Sequence, residues 1–223
     1  IATKKLRSDV VEYEPAHKLW SDNAQKRRWI RLPPGTTITT TDMDHWVFPV
    51  GTTFFKEFAL GTTLLETRMI RRTSTASNGY QVLTFIWKTD ASDATVNTAG
   101  QTNINGTAHD VPAQKDCHTC HDGEPGLILG YSAIQLSKGG PEPTLKGIAA
   151  AGQLSAPPPA GTDYPVPGNA VESAALGYLH ANCGHCHNPN GAAYSKVNQV
   201  LRLPVSATTP AATPTYSSTI NVN

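Results

Sequence analysis

The stretch GYQVLTFIWK, residues 79–88, indicates the fold of the front half of the chain. Its side chains alternate in two sets, with Leu83, Phe85 and Trp87 in one and Val82, Thr84 and Ile86 in the other. A period of two is that of a β-strand with at least one buried face. The segments VFPVGTTFFKEF and TTLLETRMIRR before it are rich in the same β-branched and aromatic residues, with glycine punctuation between them. We therefore predict a small antiparallel β-domain.

The sequence on either side of this region has a different character. Residues 1–35 mix charge with aromatic residues around KRRW and end at Pro33-Pro34-Gly35, which predicts a turn-rich lead-in. Beyond residue 110 the β-rich character fades. Segments 127–137 and 143–154 each predict a short helix, and the clearest helix begins at Asn169, with Glu172 as its capping partner.

These patterns predict an α+β fold in three parts. Residues 1–110 form an N-terminal antiparallel β-rich domain with its lead-in, and residues 111–203 form a mainly helical and loop region. Residues 204–223 are rich in Thr, Ser and Pro without apolar periodicity, which predicts an extended tail.

Charge and hydropathy exclude two kinds of partner. Lys and Arg total 18 against 17 Asp and Glu among 223 residues, a net charge of +1, so we expect no nucleic-acid partner. The sequence contains no run of 18 apolar residues, so we expect no transmembrane segment.

Two short motifs contain all four cysteines of the chain: CHTCH at 117–121 and CGHCH at 183–187. Each is a CxxCH, in which two thiols add across the vinyl groups of a haem and the following histidine ligates the iron. The motifs predict two covalently bound c-type haems, one on Cys117, Cys120 and His121 and the other on Cys183, Cys186 and His187. Residues 111–203 are then a dihaem-binding region. Such attachment takes place outside the bacterial cytoplasmic membrane, so we expect a periplasmic, cell-surface or extracellular protein.

Other uses of these cysteines stay open. A zinc site needs four such ligands, but 62 residues separate Cys120 from Cys183, whereas zinc ribbons place their pairs about 15–20 residues apart. Structural disulfides and thioredoxin-like chemistry also use paired cysteines, but neither requires a histidine directly after the second cysteine.

The sixth iron ligand separates an electron carrier from a haem that binds small molecules. Met43 and Met69 are the only methionines and both fall in the β-region, which disfavours methionine ligation. His109, eight residues before Cys117, and His45, on a predicted turn, are the leading candidates.

Three further histidines are weaker candidates. His180 lies seven residues before His187, on the same helix face, so it cannot reach the opposite side of the haem that His187 ligates. His180 can instead ligate the other haem, bond a propionate or pack. His118 and His185 lie between the cysteines of their own motifs, which holds them away from the far face of their own haem.

Several longer segments resemble an uncharacterised family of secreted bacterial c-type cytochrome-like proteins. They span residues 11–191 and are YEPAHKLWSDNAQKRRWIRLPPGT, TDMDHWVFPVGTTFFKEF, LLETRMIRR, HDVPAQKDCHTCH, LGYSAIQLS and LGYLHANCGHCHNPNG. The resemblance implies export, a β-rich front half and haem attachment through the two CxxCH motifs. It also implies that His45 and His109, within TDMDHW and HDVP, are haem neighbours. It implies no particular substrate.

Together these observations favour a dihaem c-type cytochrome that transfers single electrons, rather than an enzyme. Its partners would be other redox proteins or copies of itself, joined into a homo-oligomer or filament if the C-terminal tail adds a strand to a neighbour's sheet. The alternative is a dihaem peroxidase or oxygenase with one open haem site. A third class is a haem-bearing module whose β-domain recognises a polymer or a surface.

Overall fold

The computed structural model describes residues 6–77 and 79–220. The strands are β1 (Val11–Glu12), β2 (Gln25–Arg31), β3 (Thr53–Leu60), β4 (Thr63–Arg72), β5 (Tyr80–Trp87) and β6 (Ala94–Asn97). The α-helices are α1 (Cys117–His121), α2 (Ala133–Leu136), α3 (Leu145–Ala150), α4 (Ala170–Asn182) and α5 (Pro214–Thr219). Short 3-10 helices lie at Ile104–Gly106, Gln114–Asp116 and Pro210–Ala212.

The six strands form a single antiparallel sheet in the order of the chain, β1-β2-β3-β4-β5-β6. The sheet and the short helices that follow it confirm the predicted α+β class with an N-terminal β-region. Strands β3, β4 and β5 lie in the three segments whose composition predicted them. Gly61, with φ of 56°, makes the tight turn between β3 and β4, since glycine adopts this left-handed conformation without a steric penalty.

The lead-in differs from its prediction, because KRRW lies inside strand β2 rather than in a turn-rich segment. Strand β2 pairs along its whole length with β3, from Gln25 opposite Ala59 to Arg31 opposite Thr53. Basic residues obscured the strand in the sequence. The long basic side chains leave the backbone free to form the hydrogen bonds of the sheet. Trp29 and Ile30 of the same strand are buried.

The chain divides into two compact units. Unit 1 consists of the chain up to Glu14 with Trp20–Thr36 and Phe48–Cys117; unit 2 consists of Pro15–Leu19, Thr37–Val47 and the chain from His118 onward. The predicted division at residue 110 therefore differs from the observed one in two ways. The change of unit falls after Cys117, and two segments of the front half, which carry His17 and His45, belong to unit 2.

Unit 1 is built around the sheet. Its buried cluster consists of Ala24, Phe58, Leu65, Ile104 and Val111, with Leu60 and Ile86 packed against it. The segment after β6 thus covers part of one sheet face. Removal of this apolar surface from water contributes roughly 25 cal/mol for each Å² buried.

Unit 2 is held together by short helices and loops. Its buried cluster consists of Ile134, Val166, Leu176 and Leu203. Helix α4 begins with the predicted capping box: the Asn169 side chain accepts from the Val171 and Glu172 amides, and the Glu172 carboxylate accepts from the Asn169 amide. No helix among the described residues is long and apolar enough to cross a membrane.

The C-terminal segment is folded, whereas the sequence predicted an extended tail. It contains the 3-10 helix at Pro210–Ala212 and α5, and Thr213 and Thr215 are only 1% and 4% exposed. The Ser218 hydroxyl accepts a hydrogen bond from the Val200 amide at 2.9 Å. The low hydrophobicity of this segment concealed the helix in the sequence. Its N-cap is Thr213, whose side chain accepts a hydrogen bond from the Tyr216 amide at the start of α5.

Candidate functional site

The first motif, CHTCH, is itself helix α1. Turns follow directly, with the Glu124 amide donating to the His121 carbonyl and the Leu127 amide donating to the Glu124 carbonyl. These turns bring the Leu127 carbonyl to 2.6 Å from Nδ1 of His121. A carbonyl oxygen can only accept, so Nδ1 of His121 carries a proton, and in the neutral ring the lone pair is on Nε2.

The second motif, CGHCH, begins where α4 ends. Cys183 follows the last helical residue, and the Cys186 and His187 amides both donate to the Cys183 carbonyl. Asn188, 2% exposed, donates to the carbonyls of Gly184 at 2.7 Å and His185 at 3.1 Å. This buried amide fixes the loop that carries Cys186 and His187.

The histidines of the two motifs differ in one contact. Nδ1 of His187 is buried and has no hydrogen-bond partner within residues 6–77 and 79–220. Nδ1 of His121 by contrast donates to a backbone carbonyl. Among the described residues, a hydrogen bond at Nδ1 therefore orients the ring of His121 but not that of His187.

From His118 onward, the first motif lies beside the second within unit 2. The thiols of Cys120 and Cys186 and a ring nitrogen of His185 all lie within 4.8 Å of one another. Gly123 packs so closely on the second motif that a Cβ there would overlap the His185 carbonyl oxygen. Burial, followed by the neighbouring Cys120, raises the pKa of the Cys186 thiol. No disulfide joins any two of the four cysteines, all of which lie in the described part of the chain.

His45 belongs to the same unit and is oriented by a buried carboxylate. Its Nδ1 lies 3.1 Å from Oε1 of Glu124, whose side chain is 8% exposed. Burial, followed by the charge of Arg202, lowers the pKa of His45, which favours the neutral ring. A neutral ring beside a carboxylate donates from Nδ1, which leaves the lone pair on Nε2.

Glu124 has a second partner that holds it in place. Arg202 donates to its other carboxylate oxygen, and the same guanidinium donates to the Asp44 carbonyl at 2.7 Å. The Asp44 carboxylate in turn accepts from the Val205 amide at 2.8 Å. This chain of contacts fixes the turn that carries His45 against the C-terminal part of unit 2.

The structure places His109 in unit 1, in the core of the sheet. The residue is 2% exposed, and its Nε2 lies 2.7 Å from Oε1 of Glu66, which is fully buried. Glu66 also accepts two hydrogen bonds from Arg68, at 2.6 and 2.9 Å. The nitrogen that would bind iron is therefore already held by a carboxylate.

His180 lies in unit 2 but presents the other tautomer. Its Nδ1 accepts the Leu203 amide at 3.0 Å, so Nε2 carries the proton in the neutral ring. Burial, followed by the nearby His17, lowers the pKa of His180 to about 4, which keeps it neutral. Protonated Nε2 offers no lone pair to a metal.

Sequence reasoning missed several residues of this region: Glu124, Leu127, Asn188 and Arg202. The sequence does contain a signal for Glu124, because this residue follows His121 by three positions in a turn-forming DGEPG segment. It contains no signal for Arg202, since 78 residues separate Arg202 from Glu124.

Comparisons of the chain with family models, curated proteins and solved structures give no match. The candidate site is therefore interpreted from its own residues.

Proposed function

We propose that this protein is a dihaem c-type cytochrome that transfers single electrons outside the cytoplasm. Cys117 and Cys120 would hold one haem, and Cys183 and Cys186 the other, with His121 and His187 as the ligands on the near side of each iron. A bound c-type haem supplies reversible one-electron chemistry. The resemblance to secreted cytochrome-like proteins supports the location.

The hydrogen bond from Nδ1 of His121 to the Leu127 carbonyl carries this proposal. A metal-binding histidine almost always donates its second ring N–H to a carbonyl or carboxylate, which fixes the tautomer and the orientation of the ring. In a histidine that only packs, nothing requires this tautomer. The donor set therefore fits a haem at the first motif.

His45 is the distal ligand that we propose for one of the two irons. Its contact with Glu124 is the same kind of support that His121 receives, here from a carboxylate. His109 and His180 are disfavoured, because the Nε2 atom of each is engaged or protonated. Electron partners would be other redox proteins or further copies of this chain.

The proposal is tested by expressing the exported chain in a bacterium that attaches c-type haem. We expect a mass increase of two haems and a haemochrome spectrum typical of thioether attachment. The double variant Cys117→Ser/Cys120→Ser should keep one haem, and a His118→Ala control should keep both. Protein that emerges without covalent haem under these conditions contradicts the proposal.

The ligand assignment is tested by spectroscopy of the haem-loaded protein. We expect a low-spin signal from the haem that His45 ligates, and its conversion to high spin in His45→Ala. His180→Ala should leave the wild-type spectrum unchanged. A reduced wild-type protein that binds carbon monoxide would instead indicate an open iron position, as in a peroxidase or oxygenase.

A zinc-binding role is the second candidate, because one observation favours it. Cys120, His185 and Cys186 offer three ligand atoms within 4.8 Å of one another, which is compact enough for one ion. Metal analysis of the same purified protein separates the candidates. About one zinc per chain with intact thiols favours zinc, whereas thioether-bound cysteines exclude it.

A further inference from the structure

Three cationic side chains lie in one row across the sheet of unit 1. In the strand register Arg28 of β2 is opposite Lys56 of β3, and Lys56 is opposite Arg68 of β4. Side chains directly opposite each other in adjacent strands lie about 5 Å apart at Cβ and point to the same face. Like charges in such positions destabilise a sheet.

The same face carries an aromatic ring beside the row. The ring of Phe58 lies 5.1 Å from Nζ of Lys56, 4.6 Å from Cζ of Arg68 and 6.0 Å from Nζ of Lys26. Phe58 is 1% exposed, so these cationic groups lie against a buried aromatic ring rather than in open water. Low polarity strengthens their repulsion and also strengthens any attraction to an anion.

Glu66, the carboxylate that pairs with Arg68 of the row, is shared among several donors. Glu66 accepts two hydrogen bonds from Arg68 and also contacts His109. Its single negative charge is therefore shared between these two residues. Arg28 is 5% exposed, and its guanidinium donates a long hydrogen bond of 3.5 Å to the Lys26 carbonyl. Within residues 6–77 and 79–220, no carboxylate lies within 4.0 Å of the Arg28 guanidinium.

Lys56 has the fewest partners of the row. Within the described part of the chain its ammonium makes no hydrogen bond and no ion pair, although it carries three donors. Burial, then the charges of Arg28 and Arg68, lowers the pKa of Lys56 well below its usual range. A partly buried ammonium that lacks an acceptor costs free energy that a bound anion would recover.

We propose that the row Arg28, Lys56 and Arg68 is a binding site for a small oxyanion, with the Lys56 ammonium as its central donor. A small ligand fits because the row is short and largely buried, while the Arg68 side chain, 29% exposed, leaves access from solvent. Guanidinium groups on either side match the oxygens of phosphate, sulfate or a carboxylate. This site is independent of the proposed haems.

The test measures thermal stability and calorimetric binding of the purified protein with phosphate, sulfate, malonate or chloride at constant ionic strength. We expect at least one oxyanion to raise the melting temperature above the chloride value and to bind with measurable heat. Phosphate or sulfate as the stronger ligand indicates a tetrahedral anion, and malonate indicates a carboxylate. Equal melting temperatures in all four salts, without heat of binding, would overturn the proposal.

Lys56→Met provides the decisive variant, with Lys88→Met as the matched control. Lys88 is exposed just after β5, so its substitution removes the same charge away from the row. We expect Lys56→Met to melt at a higher temperature than the wild type in chloride and to bind the preferred oxyanion at least tenfold more weakly. Lys88→Met should match the wild type in both respects.

Two outcomes in the variants contradict the proposal. Oxyanion binding by Lys56→Met at wild-type strength would remove Lys56 from the site. A lower melting temperature in chloride would show that the ammonium stabilises the free protein, contrary to the repulsion that motivates the proposal. If Lys56→Met does not fold, Lys56→Gln gives the same comparison with a polar side chain. The calorimetry of the wild-type protein tests oxyanion binding without any variant.

Discussion

Histidines that look alike in the sequence differ in the hydrogen bonds that their ring nitrogens make. His121 and His45 have Nδ1 directed at an oxygen acceptor, so the lone pair lies on Nε2. His180 accepts at Nδ1, and His109 has Nε2 against a carboxylate. These differences follow from single contacts with residues distant in the chain, and they separate candidate ligands from packed residues.

Glu66 gives a prediction at this scale. Burial alone would raise the pKa of this carboxyl, but hydrogen bonds from His109 and Arg68 outweigh it and lower the pKa. A lowered pKa in the folded state means that the contact stabilises the fold above the unfolded value of about 4.3 and is lost as the pH falls through the folded value. We expect Glu66→Gln to reduce the free energy of unfolding at pH 7 by about 1–3 kcal/mol.

Urea denaturation between pH 3 and pH 7 measures this effect. The difference between wild type and Glu66→Gln should shrink below about pH 4.5, as the wild-type carboxyl gains its proton. Glu12→Gln is the control, since Glu12 makes the same bidentate contact with Arg27 on the exposed surface, where such pairs contribute little. A constant difference at every pH would show that the charge of Glu66 is not the cause.

At the scale of elements, the two motif segments are in contact through a position that only glycine fits. Gly123 follows α1 and lies against the His185 carbonyl of the loop after α4. This contact accounts for the closeness of Cys120 and Cys186. It follows from the turns after each element, and neither motif predicts it.

We expect Gly123→Ala to lower the free energy of unfolding by about 1–3 kcal/mol, because its methyl group overlaps a backbone oxygen that cannot move independently. Gly139→Ala is the matched control, since a Cβ at Gly139 meets no atom within 4 Å. Thermal melts of the two variants measure the effect. Equal stability would mean that the segments separate without cost.

At the scale of the whole molecule, the C-terminal segment is part of unit 2. Ala207, Thr213 and Thr215 are buried, and the Val205 amide bonds the Asp44 carboxylate. A segment with these contacts stabilises its own chain, which leaves less of it available as an arm that reaches a neighbouring molecule.

We expect deletion of residues 205–223 to lower the melting temperature by at least about 5 °C, which corresponds to about 2 kcal/mol in a chain of this size. A chain that ends at Ile220 is the control, because it keeps α5 and the contact of Ser218 with Val200. Calorimetry gives the melting temperature and size-exclusion chromatography the assembly state. Unchanged stability with loss of assembly would restore the arm proposed from sequence.

The predictability of the fold varied with the range of the interactions involved. Strands β3 to β5 and the capping box of α4 depend on local alternation and on residues three positions apart, so the sequence predicted them. Strand β2 was missed, because its basic residues resemble a surface segment until β3 pairs with them. The two haems and their near-side ligands stay predictions from the motifs.

By itself the sequence determined the α+β class, the strands with regular alternation, the capped helix and the pairing of cysteines with histidine in two motifs. Each depends on residues that are close in the chain, where backbone geometry fixes which side chains meet. Only the tertiary structure decided that Cys120 lies beside Cys186, that Glu124 and Arg202 hold His45, and that Arg28, Lys56 and Arg68 form one row. These contacts join distant segments, and chain packing and strand register bring them together.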